Sequence, residues 1–224
     1  ALFLKPLGEL GQVEIIAADI LKPESLAPAV AGADEVINLV GTLKGRFESI
    51  HADAAEALAR LAQQAGASAF VQVSAIGADA DSPSRYGRSK ADGEARVKHA
   101  FTGATIIRPS LVFGPEDNFI NRFARMVSLL PIVPVVKPEA RFQPVWVGDV
   151  ARAVALAAAD SRQYAGKTFE LGGPRTYALR ELVEWSHRDA LEKLSRKRRN
   201  ELLGIPATPV GKPHPTRRAV RTAK

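Results

Sequence analysis

At 224 residues the chain can bury one substantial hydrophobic core, and 46% hydrophobic with 25% charged residues is the composition of a folded domain. The absence of cysteine excludes disulfides, thiolate nucleophiles and thiolate metal sites, and no apolar run reaches the roughly 18 residues that span a bilayer. The net charge of +7 is uneven: residues 187–224 carry 11 basic and 3 acidic side chains, so the first 186 residues are close to neutral and the basicity sits in the tail.

In chain order, the opening ALFLKPLGEL lacks the basic start and apolar core of a secretory signal, and its first residue is alanine, from which a start further upstream is expected. Val13–Ala18 (VEIIAA) predicts a buried strand followed by Asp19-Ile20. Pro23–Ala31 predicts a short helix with proline in its first turn, where a missing N–H is harmless. Glu35–Val40 (EVINLV) predicts a second strand ending at Gly41. Ile50, Ala54, Leu58, Leu61 and Ala65 recur at helical spacing before Gly66. Ala69–Val73 is a third expected strand, Ser84–Lys98 a helix and Ala104–Ile107 a fourth strand.

Beyond Gly114, a helix is expected over Phe119–Leu130, a strand over Arg141–Val147, and a helix over Asp149–Ala159 with Asp149 as its cap. A last strand is expected over Lys167–Leu171 and a helix from near Tyr177. Strands alternating with helices predict an α/β fold, a doubly wound parallel sheet of the Rossmann type. Such a sheet normally opens on a strand and a glycine-rich turn that receives a pyrophosphate. No G-x-G-x-x-G is present, so the expectation is a Rossmann domain truncated at its N-terminus, lacking the first β-α-β. The expected division is a partial nucleotide-binding domain over 1–115, a small C-terminal α+β region over 116–186, and a basic tail over 187–224.

The sharpest chemical signal is Tyr86-Gly-Arg-Ser-Lys90, which opens a helix twelve residues after Ser74. At i and i+4, Tyr86 and Lys90 share one helical face. A nearby ammonium stabilises a phenolate, which would bring a phenol of pKa about 10 closer to use at neutral pH. The same lysine can hydrogen-bond a cofactor ribose. His51, His99, His187 and His214 have no metal-ligand spacing, so no metal is expected.

With these segments in this order, from about Leu4 to Trp185, the chain resembles the short-chain dehydrogenase/reductase family in its extended and atypical branches. The resemblance implies that Asp19-Ile20 is the acidic-plus-apolar pair contacting an adenine ring, against the plainer reading of a helix-preceding turn. It implies that Asn38, Leu39, Val40 and Gly41 lie against the nicotinamide nucleotide. It also implies that Pro109, within RPSLVFGP, leads from the cofactor to the substrate region. Tyr86, Lys90 and Ser74 are the catalytic candidates, although the serine that polarises a substrate carbonyl in active members aligns with Ala75.

VINLVG, SRYGRSK and FGPEDNFINRFA are similar more narrowly to the NAD(P)-binding accessory subunit of respiratory complex I and its bacterial relatives. That similarity implies NAD or NADP held mainly for structure, with complex I subunits as partners. The implied location is the cytoplasm, peripheral on the inner membrane, or the matrix side in a mitochondrion. The alternative is an active NAD(P)-dependent oxidoreductase, epimerase or dehydratase, with Tyr86 and Lys90 acting on a small-molecule substrate. A nucleic-acid partner is not expected, because the basic tail lacks interleaved aromatics.

Overall fold

β-Branched and aromatic residues in runs of four or five form the centre of the molecule. In the computed structural model, which describes residues 9, 12–117, 119 and 137–185, these runs pair as one parallel sheet. Its strands are β1 (Glu35–Asn38), β2 (Ala69–Val73), β3 (Thr105–Pro109) and β7 (Thr168–Leu171), and they lie side by side in that order. The register aligns Val36 with Phe70 and Val71 with Thr105. Two smaller pairings complete the strands. β4 (Val112–Phe113) runs parallel to β6 (Val145–Trp146), and β5 (Arg141–Phe142) antiparallel to β8 (Tyr177–Ala178).

Because strand side chains alternate, each central strand feeds two cores. Phe70 and Ile106 face one way, onto α1 (Pro23–Val30), α2 (Ala54–Gln64) and α3 (Arg85–Ala100), with Leu26, Leu58 and Val97 as the helical partners. Val71 and Ile107 face the other way, onto Val150, Val154 and Ala157 of α4 (Val147–Ala159). A short helix α5 (Ser161–Tyr164) leads from α4 to β7. Helices on both faces of a parallel sheet make this the doubly wound α/β architecture that the sequence predicts.

The chain divides into two compact units, one comprising 1–117 and 137–179, the other 118–136 and 180–224. All residues of the candidate site belong to the first. Of the second, only residue 119 and the helical residues 180–185 are described. The expected 119–130 helix beyond its first residue, most of the EDNFINRFA run and the basic stretch 187–224 lie outside the described residues.

Four expectations are corrected and a fifth is refined. Val13–Ala18 is not a strand: it joins no ladder among the described residues, and Glu14 and Ile16–Ala18 are exposed. A strand needs a neighbour for its N–H and C=O groups, so apolar composition alone does not make one. The strand expected to reach Val40 stops at Asn38, whose side-chain oxygen accepts the Val40 N–H and replaces the ladder. The single strand over Arg141–Val147 is two pieces in two sheets, parted at Gln143-Pro144, where proline has no N–H to offer. Asp149 is not a cap, since α4 starts two residues earlier; it lies in the first turn, where its charge suits the helix dipole. Tyr177 itself belongs to β8, and the helix follows at 179.

The two-faced core gives a direct contrast. Ile106 is fully buried, whereas Ile37 on β1 is 41% exposed. Ile106→Ala is expected to lower the unfolding free energy by about 2–5 kcal/mol. Ile37→Ala is expected to lower it by about 0.5 kcal/mol or less. Urea unfolding of both variants checks this; equal losses would mean that β1 is covered on its open side.

Candidate functional site

Three neighbouring parallel strands end together. The residues expected to carry function stand at those ends: Asn38 on β1, Ser74 just after β2, and Pro109 on β3. Carboxyl ends of parallel strands are where open α/β sheets bind ligands. Helix α3 begins above them, with Ser84 in the capping position, and its first two turns present Tyr86 and Lys90.

At β1, Asn38 is buried and spent on structure. Its Nδ2 donates to Gln72 Oε1 on β2 at 2.9 Å, and its Oδ1 accepts the Val40 N–H at 3.0 Å. The cross-strand amide pair turns the chain outward, so that Leu39 is 68% exposed and Val40 and Gly41 are exposed beside it. An open apolar backbone at a strand end is a surface against which a planar ring can lie.

Lys90 lies under this segment. Only 6% exposed, its ammonium is directed to the Val73 carbonyl at 3.5 Å. A Cβ on Gly41 would come within 3.3 Å of Lys90 Nζ, so glycine lets the backbone settle onto the charge. Burial lowers the pKa of Lys90, and the Glu94 carboxylate opposes that shift.

Tyr86 shares a helical face with Lys90, whose Nζ is 5.9 Å from the ring centroid. The sequence predicts that the ammonium helps a phenolate. In the structure the phenol moves the other way, its pKa raised by burial. At neutral pH Tyr86 therefore keeps its proton and can donate a hydrogen bond. Ser74 is 5% exposed, and its hydroxyl is the one buried side-chain oxygen without a partner among the described residues. Ala75, at the neighbouring position, has no hydroxyl at all.

Other candidates have structural work. Asp19 forms the turn before α1: its carboxylate accepts the Leu21 N–H, and Ser25 Oγ links it to the first helical turn. Ile20 packs against the helical side of the core. Asp19 thus performs the plainer helix-preceding role, and its exposed carboxylate still faces solvent. The Pro109 carbonyl accepts the Ile76 N–H, fixing the turn after β2. Arg108 of the same motif pairs with the buried Glu94 through two guanidinium nitrogens and ties β3 to α3.

Three residues, Thr42, His51 and Ser89, are given no role in this site by the sequence reading. His51 lies in a π-helical turn (Ser49–Asp53) ahead of α2 and is 2% exposed. Its Nε2 accepts the Thr42 N–H at 3.0 Å, and its Nδ1 is 2.9 Å from Ser89 Oγ, which in turn donates to the Tyr86 carbonyl. The available signals were an imidazole beside Ile50 on an apolar helical face and a serine inside the Tyr86–Lys90 spacing. Neither is specific. Among the described residues, no group of three or more His, Asp or Glu is placed to hold a metal ion.

Comparison with known proteins places these residues in context. Residues 4–115 match the NAD(P)H-binding family. Over 187 residues the chain is 39% identical to the mitochondrial NADH dehydrogenase [ubiquinone] 1 alpha subcomplex subunit 9 of Arabidopsis thaliana, covering 81% of this chain and 46% of that protein. The Mus musculus subunit of the same name is 37% identical over 188 residues, covering 81% of this chain and 49% of that protein. The chain therefore spans about half the length of these curated relatives. Among solved structures, the dTDP-glucose 4,6-dehydratase DesIV of Streptomyces venezuelae superimposes with a TM-score of 0.69 at 20% identity, over 86% of this chain and 67% of that one. This last likeness establishes the fold alone.

Burial, with Lys90's charge beside it, takes His51 from the ordinary 6.5 down to about 4. Between those values the unfolded chain binds a proton that the folded chain refuses, so stability falls as pH falls through that window and is unaffected above it. Acidification from pH 7 to 5 is expected to lower the melting temperature more in wild type than in His51→Gln. An equal drop in both would show that the buried imidazole takes up its proton without penalty.

Proposed function

The chain belongs to the NAD(P)H-binding family, and from that premise we propose that it is an accessory subunit of a complex I-type NADH dehydrogenase that holds a nicotinamide dinucleotide, NAD(H) or NADP(H), mainly for structure. The observation that carries the reading is the approach of the Gly41 backbone to Lys90 Nζ at the carboxyl ends of β1 and β2. The residues present fit the group: an exposed Leu39–Gly41 face for a ring, a glycine where a side chain would intrude, and a partnerless Ser74 hydroxyl beneath.

In this reading Lys90 and the Gly41 backbone hold the nicotinamide ribose, Leu39 and Val40 take one face of the ring, and Asp19 with Ile20 meets the adenine end. Pro109 closes the floor by holding the turn after β2. A bound dinucleotide supplies a hydride donor or acceptor at its nicotinamide ring. This chain's residues supply little to use it. Ala75 has no hydroxyl, Ser74 is buried, and Tyr86 holds its proton, with burial pushing its pKa up.

The proposed partner and place are supported by the relatives, which carry the names of mitochondrial NADH dehydrogenase subunits. Among the described residues no helix is long and apolar enough to cross a membrane, and docking on that complex is proposed from the relatives alone. A second reading, an active oxidoreductase, is favoured by Tyr86 and Lys90 sharing one helical face. There Tyr86 would pass the proton and Lys90 would hold the ribose.

Fluorescence titration with NADH and NADPH tests the proposal. Wild type is expected to bind at least one of them. Lys90→Met is expected to weaken that binding about tenfold or more, as for loss of a hydrogen bond to a charged group. Tyr86→Phe is expected to bind within about twofold of wild type. No binding by wild type overturns the reading, and turnover of a carbonyl substrate that Tyr86→Phe abolishes establishes the enzyme instead.

A further inference from the structure

Around His51 every hydrogen-bond direction is settled by chemistry. A backbone N–H can only donate, so His51 Nε2, which receives the Thr42 N–H, carries no proton. The neutral ring must then be protonated at Nδ1, which donates to Ser89 Oγ, leaving the serine hydrogen for the Tyr86 carbonyl. The result is a directed chain from the Gly41–Thr42 backbone, through an imidazole, into the first turn of α3.

The ring is held from the sides as well. Phe47 stacks on it at 5.7 Å between centroids, and Tyr86 meets it edge-on at 5.4 Å. Gly93 lets α3 come close to the π-helical turn, because a Cβ there would collide with the His51 carbonyl. On its far side, His51 Nε2 lies 3.8 Å from the position a Gly41 Cβ would occupy, next to Lys90 Nζ. His51, itself in the turn leading into α2, therefore joins that turn to the strand-end backbone and to the helix turn bearing Tyr86 and Lys90.

We infer that His51 is a positioning residue for the dinucleotide: its Nδ1–H tautomer pins the Gly41–Thr42 backbone above Lys90 and so determines how tightly the nicotinamide end is held. This rests on the cofactor reading. The imidazole is suited to the role because it offers one acceptor and one donor at fixed angles from a rigid ring. A charged ring would lose the Thr42 bond and stand beside the Lys90 cation. Glutamine can present one acceptor and one donor as well. Leucine can fill the space but make neither bond.

The test uses the full chain and its His51→Gln and His51→Leu variants. Nitrogen-15 spectra of the imidazoles in wild type are expected to show the Nδ1–H tautomer at His51; an Nε2–H tautomer would overturn the inference without any variant. Amide exchange at Thr42 is expected to be slow in wild type and His51→Gln and fast in His51→Leu, with Ile106 protected in all three. Titration with NADH and NADPH is expected to show about tenfold weaker binding in His51→Leu, which is ~1.4 kcal/mol, and His51→Gln within about threefold of wild type. Should His51→Leu fail to fold, the tautomer and His51→Gln decide: an Nε2–H ring, or a loss of more than about tenfold in His51→Gln, overturns the inference. Undiminished binding by a folded His51→Leu overturns it while leaving the cofactor reading intact. Absence of binding by wild type overturns both.

Discussion

The closeness of helix α3 to the turn at His51 is the constraint on which the site depends. At Gly93 the helix backbone lies so near the His51 carbonyl that no side chain fits between them. That contact sets the height of α3 above the sheet, and with it the reach of Ser89 to His51 and of Lys90 to the Val73 carbonyl. A helix displaced outward by one methyl group would break the imidazole bond and lift the ammonium from beneath Gly41. Packing that fixes positions in this way is stiff, because interiors are filled to crystal-like density and cannot deform gradually. The Arg108–Glu94 pair anchors the same helix to β3, so α3 is tied to the site along its length.

In the proposed reading, the chemistry that results favours holding over reacting. Tyr86 and Lys90 share one face of α3, but burial acts on both in the direction of the neutral form. A phenol that retains its proton is poorly matched to proton transfer near neutral pH. The end of β2 reinforces the contrast, since Ser74 keeps its hydroxyl inside and Ala75 has none to offer.

Much of the fold is legible in the residues. Ala69–Val73 is found to the residue, and the strand expected over Ala104–Ile107 is shifted to Thr105–Pro109, because both are central strands rich in apolar residues. Gly66 marks the end of α2 because its φ of +79° is one that glycine alone adopts easily. Val13–Ala18 is misread for a physical reason: a strand is made by its neighbour, and a mostly apolar stretch gives no sign of whether one is available. The site is legible where it depends on spacing, as with Tyr86 and Lys90. It is illegible where it depends on distant contacts, and the Thr42–His51–Ser89 chain joins residues 9 and 38 positions apart. Asn38 is the intermediate case, standing at the carboxyl end of β1 but occupied with Gln72 and Val40.

The central claim is that a nicotinamide dinucleotide rests on the strand ends of β1 and β2, over Lys90. Mapping backbone amide shifts of the full chain on addition of NADH or NADPH tests it most directly. The account predicts shifts concentrated at Leu39–Thr42, at Ser74-Ala75 and at Tyr86–Lys90. Shifts confined instead to the outer cleft lined by Asp79, Lys98 and Arg108, or no shifts with either nucleotide, would contradict it.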